Sequence, residues 1–211
     1  MKTLSLIAQK GGTGKTTIGI HLAVQAQRAG LKVLLVDTDP QGSAGAWWRR
    51  RQADLPVLVQ SSGRELAETT AEAKQRGFQL VVVDTAPHSS SESRLCAESS
   101  SLILIPTRPA ILDLDAIGAT TALVADLAVP ARILLNACPA PTRLGEPRIV
   151  AEARDALTAY KLPICKTAIS QRAAFSHALI DGRSVVEFEA HGKAAAEIDA
   201  LWTEITSHLT P

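Results

Sequence analysis

Residues 10–17 read Lys10-Gly11-Gly12-Thr13-Gly14-Lys15-Thr16-Thr17. An apolar run, Leu4 to Ala8, leads into them, and a segment with helical spacing, Thr16 to Ala29, leads out and stops at Gly30, a residue suited to a helix C-cap. In a glycine-rich turn between a strand and a helix, backbone N–H groups can point inward with no Cβ in the way. They do so at the positive end of the helix dipole. That is the chemistry of a phosphate cradle. Lys15 is placed to reach the β- and γ-phosphates of a nucleotide and the Thr16 hydroxyl to ligate Mg2+. Gly11, Gly12, Thr13, Gly14 and Thr17 complete the candidate nucleotide-binding set. Position 9 is Gln9, where the general pattern G-x-x-x-x-G-K-[ST] has glycine.

Outward from this turn the chain alternates. Further apolar runs occur at Val33 to Val36, Val57 to Val59, Leu80 to Val83, Leu102 to Ile105 and Ile133 to Leu135. They are continuous, as expected of strands covered on both faces. Helical segments fill the gaps; Leu112 to Leu127, for instance, spaces Leu114, Ile117, Val124 and Leu127 along one side. The pattern implies an α/β fold: a twisted, mainly parallel sheet with helices on both faces and right-handed crossovers. There is no internal repeat or linker. The stretch Cys138 to Pro147, with three prolines and a glycine, reads as a surface loop, so residues 1–211 are expected to form one domain.

Two carboxylate elements join the glycine-rich turn. Leu34-Leu35-Val36-Asp37-Thr38-Asp39-Pro40-Gln41 ends one strand, and Leu80-Val81-Val82-Val83-Asp84-Thr85-Ala86-Pro87 ends another. Ligands of open α/β sheets gather at the carboxyl ends of strands, so Lys15, Asp37, Asp39 and Asp84 are expected to converge.

Composition narrows the alternatives. The chain is 46% hydrophobic and 20% charged, which is globular, and only 3% aromatic, so its core must be aliphatic. A formal net charge of +1 gives no overall pull toward nucleic acid, and any basic surface has to be local. Cys96, Cys138 and Cys165 are odd in number and lack C-x-x-C spacing, which points away from a disulfide framework and toward a reducing cytoplasm. The N-terminal run is too short for a signal peptide, and no stretch approaches the ~20 apolar residues that span a bilayer.

The box at residues 10–17 is similar to the deviant Walker A motif of the ParA/MinD family of ATPases, whose signature lysine falls at Lys10 and whose members do not all keep the first glycine. Asp37-Thr38-Asp39-Pro40-Gln41-Gly42-Ser43 resembles the Walker A′ box of that family and Asp84-Thr85-Ala86-Pro87 its Walker B. Residues 167–187 resemble the late segment of short plasmid-partition ParA proteins. The likeness is strongest over residues 1–110 and 162–190 and weak around Pro139 to Pro147. It implies an ATP sandwich dimer with Mg2+. Lys10, Lys15 and Asp39 would be catalytic, Lys10 reaching the partner's nucleotide and Asp39 orienting water. Thr16, Asp37 and Asp84 would serve the metal, and the segments after Asp39 and Asp84 would act as switches. The resemblance further implies DNA segregation by a nucleoid-associated protein that binds nonspecific DNA and is stimulated by a centromere-binding, ParB-like adaptor. Arg172, Arg183 and Lys193 are the candidate DNA contacts, with Lys166 and Arg148 behind them. The chain starts about ten residues before the box, so no preceding helix-turn-helix domain is expected.

Other features bear on that reading. Asn136 ends the run Ile133 to Leu135, but neither the lysine nor the aspartate of N-K-x-D follows; adenine is therefore favoured over guanine, with Asn136 either a base contact or a turn cap. Arg49-Arg50-Arg51 follow Trp47-Trp48; adjacent helical residues point in different directions, so the arginines need not form one patch, and the tryptophans are expected to pack. The alternative is a MinD-like ATPase that positions a membrane or protein cargo. Ala194 to Leu209 is amphipathic through Ile198, Leu201, Trp202, Ile205 and Leu209. Its polar side carries Glu197, Asp199 and Glu204 and no lysine or arginine, so it should dock on the sheet rather than on an anionic membrane. Cys96 has no second cysteine suited to share an iron–sulfur cluster across subunits.

Overall fold

Six strands make one sheet: β1 (Lys2–Leu6), β2 (Val33–Asp37), β3 (Val57–Gln60), β4 (Leu80–Asp84), β5 (Leu102–Thr107) and β6 (Ala131–Leu135). In the computed structural model, which describes residues 1–143 and 145–209, they lie in the order β3-β2-β4-β1-β5-β6. Every neighbouring pair is parallel. The expected α/β class is therefore found. Nine α-helices accompany the sheet among the described residues: α1 (Lys15–Arg28), α2 (Ser43–Arg50), α3 (Leu66–Gln75), α4 (Ser90–Glu98), α5 (Ile111–Val124), α6 (Arg148–Leu157), α7 (Ala173–Ile180), α8 (Val185–Phe188) and α9 (Lys193–Leu209).

The continuous apolar runs resolve into two alternating sets. Leu4, Leu6, Leu35, Leu80, Val82, Leu102 and Leu104 pack with α1, α2 and α7–α9. Ile103, Ile105, Ile133 and Leu135 pack against α5 and α6, and Leu34, Val36, Val81 and Val83 against α3 and α4. A period of two hidden inside an unbroken hydrophobic stretch is what two covered faces require. Ile7 and Ala8 are buried yet fall outside β1, because beyond the bond from Ile7 N–H to the Leu104 carbonyl (3.0 Å) the chain leaves the sheet for the glycine-rich turn. Leu127 likewise lies past the end of α5, in a turn closed on Val124. The Pro-rich stretch between β6 and α6 is the expected loop, with Leu144 outside the described residues.

The C-terminal helix docks as its pattern implies. Ile198, Leu201, Trp202, Ile205 and Leu209 are buried, and α9 lies against α1 and β1. Each large side chain so buried contributes roughly 1.5–3 kcal/mol relative to exposure to water. Among the described residues no helix is long and apolar enough to cross a membrane.

The topology sets the site. β1 is central, β4 and β5 flank it, and the glycine-rich turn emerges from its carboxyl end. Asp84 pairs in register with Leu6 on one side and Asp37 on the other, which puts both aspartates at the same height at the mouth of the sheet.

Candidate nucleotide-binding site

The turn between β1 and α1 needs its glycines. Gly12 (φ 74°) and Gly14 (φ 98°) are left-handed, and a Cβ on Gly14 would overlap the Asn136 side-chain amide. A Cβ on Gly11 would meet nothing within 4 Å, so that position faces open space. The turn borders a cleft of about 480 Å3 whose walls include Gly11, Gly12, Lys15, Thr16, Asp39 and Arg108. That volume falls within the range of small-molecule and cofactor sites.

Lys15 is buried, and its Nζ donates to the carbonyl of Ala8 at 3.1 Å. Burial holds its pKa below the ordinary lysine value, while the charges of Asp84 and Asp39 act the other way. A cation kept on a backbone carbonyl at the floor of an anion cradle is ready to exchange that partner for phosphate. Next to it, Thr16 Oγ1 donates to Asp84 Oδ2 at 2.6 Å. Asp84 Oδ1 is buried with no hydrogen-bond partner. Burial raises the Asp84 pKa to about 7, against the Thr16 hydrogen bond and the Lys15 charge; Asp37 and Asp39 push it further up.

This donor set fits Mg2+. The cation takes hard oxygen ligands and commonly shares them with substrate phosphates. Thr16 supplies a hydroxyl, and Asp84 supplies an unpartnered buried carboxylate oxygen that a cation would stabilise in its charged form. Among the described residues no group of three or more histidine, cysteine, aspartate or glutamate side chains could hold a metal ion.

Asp37 sits differently. Its Oδ1 accepts the Asp39 N–H at 3.2 Å and its Oδ2 the Gly45 N–H at 3.0 Å. Both oxygens are engaged in holding the segment between β2 and α2, and burial still raises its pKa against those two bonds. The Thr38 N–H and hydroxyl both donate to the Asp84 carbonyl, at 2.9 Å each, which links that segment to the end of β4. Half-buried Asp39 is the carboxylate of the three that lines the phosphate cleft.

The sequence pattern of the CobQ/CobB/MinD/ParA nucleotide binding domain matches residues 4–185. The chain belongs to this ParA/MinD family. It is 34% identical over 211 residues to "Maintenance of carboxysome distribution protein A" of Gloeobacter kilaueensis, covering 99% of this chain and 94% of that one. The protein of the same name from Halothiobacillus neapolitanus is 31% identical over 216 residues, covering 96% and 95%. In fold the chain resembles apo McdA of Cyanothece with a TM-score of 0.78 at 18% identity, over 100% of both chains.

In this ParA/MinD-family protein the signature lysine, Lys10, is held within its own chain. Its Nζ donates to the Leu112 carbonyl at 3.1 Å and pairs with Asp113 Oδ1 at 3.2 Å. Asn136 spends its amide on the carbonyl of Thr13, with Nδ2 at 2.7 Å, and so braces the phosphate loop from the end of β6. Of the two expectations for Asn136, this bracing is nearer the turn cap than the base contact. Thr13 itself is buried, and Thr17 lines the cleft.

The candidate DNA contacts occupy three different settings. Arg172 lines the nucleotide cleft, its Nε and Nη2 on Glu197 Oε1 at 3.0 and 2.6 Å. Arg183 pairs with Asp181 at 2.6 Å and lies 4.8 Å above the Phe188 ring. Lys193 is exposed at the start of α9. Arg148 is paired with Glu152, and Lys166 is exposed. The basic run at the end of α2 splits as its helical spacing implies. Arg51 forks onto both oxygens of Glu187 at 2.9 and 2.7 Å with its side chain 4% exposed, whereas Arg49 and Arg50 face solvent. Trp47 is buried in the core and Trp48 rests with its indole N–H on the Pro56 carbonyl.

Arg108 in the cleft wall and Glu197 behind it are not among the sequence-predicted site residues. Arg108 follows β5 directly, so the strand-end rule that found Asp37 and Asp84 also points to it. Glu197, which anchors Arg172 and also accepts from the Ser170 N–H and hydroxyl, lies on α9 and carries no local signal of that role. The three cysteines are buried, with thiol pKa values pushed up by burial to about 11 for Cys96 and about 12 for Cys138 and Cys165.

Proposed function

We propose that this chain is an ATP-hydrolysing positioning protein, which binds Mg2+ and ATP, closes as a two-fold dimer on two nucleotides, and distributes a cytoplasmic cargo. The observation that carries the ATPase reading is the Thr16–Asp84 contact beside a buried, displaceable Lys15. The turn N–H groups and Lys15 bind and orient the phosphates, Thr16 and Asp84 hold the metal, and Asp39 orients the attacking water. The metal, when bound, neutralises charge that develops on the phosphoryl oxygens. Asp37 keeps the Asp39 segment in place rather than ligating the metal directly. Lys10, brought against the partner's nucleotide, acts as an arginine finger does elsewhere, a role that contributes roughly 10³–10⁵ in rate.

The nature of the cargo is argued from relatives. The end-to-end matches at 34% and 31% identity are named for carboxysome distribution, which favours a protein compartment as cargo. Partition of a DNA molecule is the second reading, favoured by the likeness of residues 167–187 to short plasmid-partition proteins. The partition likeness supports an adaptor protein on the cargo and nonspecific DNA as the track, held in the ATP state by phosphate contacts, and we extend both to the first reading.

Two substitutions test the roles. Lys15→Ala should abolish ATP binding; Asp39→Ala should bind ATP, fail to hydrolyse it and accumulate as a dimer. Equal loss of binding in both would refute the assignment. Duplex DNA of arbitrary sequence at low salt tests the track, because salt-sensitive binding is expected with ATP and not with ADP. Deleting the gene decides the cargo: clumped compartments with plasmids retained favour the first reading, and plasmid loss the second.

A further inference from the structure

Two large aliphatic side chains stand in solvent beside the nucleotide cleft. Ile111 and Leu112, the first two residues of α5, are each 71% exposed. Scattered exposed aliphatics are ordinary on a protein surface, but these two belong to a short turn with other duties. Just before them Arg108 lines the cleft near Gly12. The Leu112 carbonyl and the Asp113 carboxylate are the two groups that hold Lys10. The turn is firm, since Asp113 N–H donates to the Ala110 carbonyl at 2.8 Å. Residues 108–113 therefore join a wall of the cleft, an exposed apolar pair and the tether of the signature lysine.

We propose that this turn is a contact surface for a second copy of the chain, and that Asp113 is a positioning residue that keeps Lys10 in its own subunit until the two copies meet. The inference rests on the reading above that the ATP-bound form is a two-fold dimer. A two-fold interface must be self-complementary, each patch meeting its own copy. A cation, a carboxylate and an apolar pair within one turn satisfy that condition by themselves. The surface also borders the cleft, so a nucleotide held by both copies would lie next to it. The Lys10–Asp113 pair is partly solvated, with side-chain exposures of 35% and 12%, so its exchange for a new partner meets a low barrier. Seating Ile111 and Leu112 against a second copy removes water from the same turn and brings Lys10 to where it can turn outward.

The test uses the full chain with Mg2+ and a non-hydrolysable ATP analogue, and reads mass by light scattering across a concentration series. Ile111→Ser/Leu112→Ser should weaken the dimer by at least about tenfold, while the monomer binds a fluorescent analogue as the wild type does. Asp113→Asn should shift the other way, with dimer forming at lower protein concentration. The same substitution in a Lys10→Ala background should change nothing, because its effect passes through Lys10; a structural role for Asp113 would persist there. The proposal is overturned if the double serine variant dimerises like wild type, or if Asp113→Asn acts equally with and without Lys10. It is also overturned if the double serine variant dimerises normally and loses only adaptor-stimulated turnover, which would make the turn an adaptor surface. A wild-type chain that stays monomeric with the analogue sinks the dimer reading itself, whereas a normal wild-type dimer with indifferent variants sinks this inference alone.

Discussion

Acidifying the solution from pH 8 to pH 5 should remove about 2 kcal/mol of folding stability through one side chain, His21. The imidazole lies on α1, fully buried, with its ring centroid 5.1 Å from that of Phe175. Its Nδ1 accepts the N–H of Val185 at 3.2 Å, and its Nε2 is buried without a partner. The neutral ring therefore carries its proton on Nε2. A second proton would have to go on Nδ1, facing another N–H, and would bring a charge into the core. Burial accordingly depresses the pKa from 6.5 to about 3, with the nearby Glu187 charge acting the other way. The unfolded chain takes up a proton below pH 6.5 that the folded chain refuses, so the contribution is complete above that pH and is lost as pH falls toward 3. Integrated between the two values, the loss is about 2 kcal/mol by pH 5 and approaches about 5 kcal/mol below pH 3. The assay is urea unfolding of the wild type and of His21→Asn, whose amide oxygen can take over the bond from Val185. Other titrating groups are common to both proteins and cancel in the difference. The gap between the two proteins should close by about 2 kcal/mol, in the variant's favour, from pH 8 to pH 5. Parallel pH profiles would refute the account of His21 as a buried, obligatorily neutral acceptor.

Three further outcomes follow from the site and its surroundings. Thr16→Ala should weaken ADP binding in Mg2+ by about tenfold or more, the scale of a hydrogen bond to a charged group, and leave binding in EDTA nearly unchanged, as read by titration with fluorescent ADP. Gly14→Ala forces a side chain into a left-handed position and into the Asn136 amide. It should cost about 1–3 kcal/mol in urea unfolding and abolish nucleotide binding, and adding Asn136→Ala should restore only part of the stability because φ remains wrong. Arg51→Ala removes a bidentate partner from half-buried Glu187, which keeps the Ser184 N–H, and should cost about 1–3 kcal/mol. Arg50→Ala, on the exposed side of the same run, should stay within about 0.5 kcal/mol of wild type, so any loss of DNA binding there reports contact rather than unfolding.

The phosphate site was readable in the sequence because covalent spacing decides it. A strand that ends at Leu6, just before Lys10, puts the glycine-rich turn at the carboxyl edge of the sheet, and strands ending at Asp37 and Asp84 bring both carboxylates to the same edge once the sheet is parallel. The amphipathic pattern of Ala194 to Leu209 was legible for the same reason, since its period alone shows which side is buried. What spacing cannot show is which of several possible partners a polar side chain takes. Asp37 is assigned to the metal by family likeness, and what the spacing does not show is that two backbone N–H groups take its oxygens. Arg172 is a candidate DNA contact by family likeness, and its pairing with Glu197 on the last helix, in the wall of the cleft, carries no local signal. Lys10 was assigned by family likeness to a partner subunit, and its resting contacts with Leu112 and Asp113 depend on how α5 is seated. In each case a contact distant in sequence decides the role of a residue whose position was already known.

Glu197 and Glu204 stand about two turns apart on α9. One holds Ser170 and Arg172 at the cleft; the other accepts the backbone N–H groups of Lys166 and Thr167 at 2.7 and 2.9 Å. The strip between α6 and α7, which forms one side of the nucleotide cleft, is therefore stapled by carboxylates that are synthesised well after the phosphate loop. On a ribosome the loop would emerge long before its opposite wall could be fastened, so a nascent chain should hold nucleotide poorly until the segment carrying both glutamates has left the exit tunnel. Nucleotide capture would then report that the wall opposite the phosphate loop has been fastened.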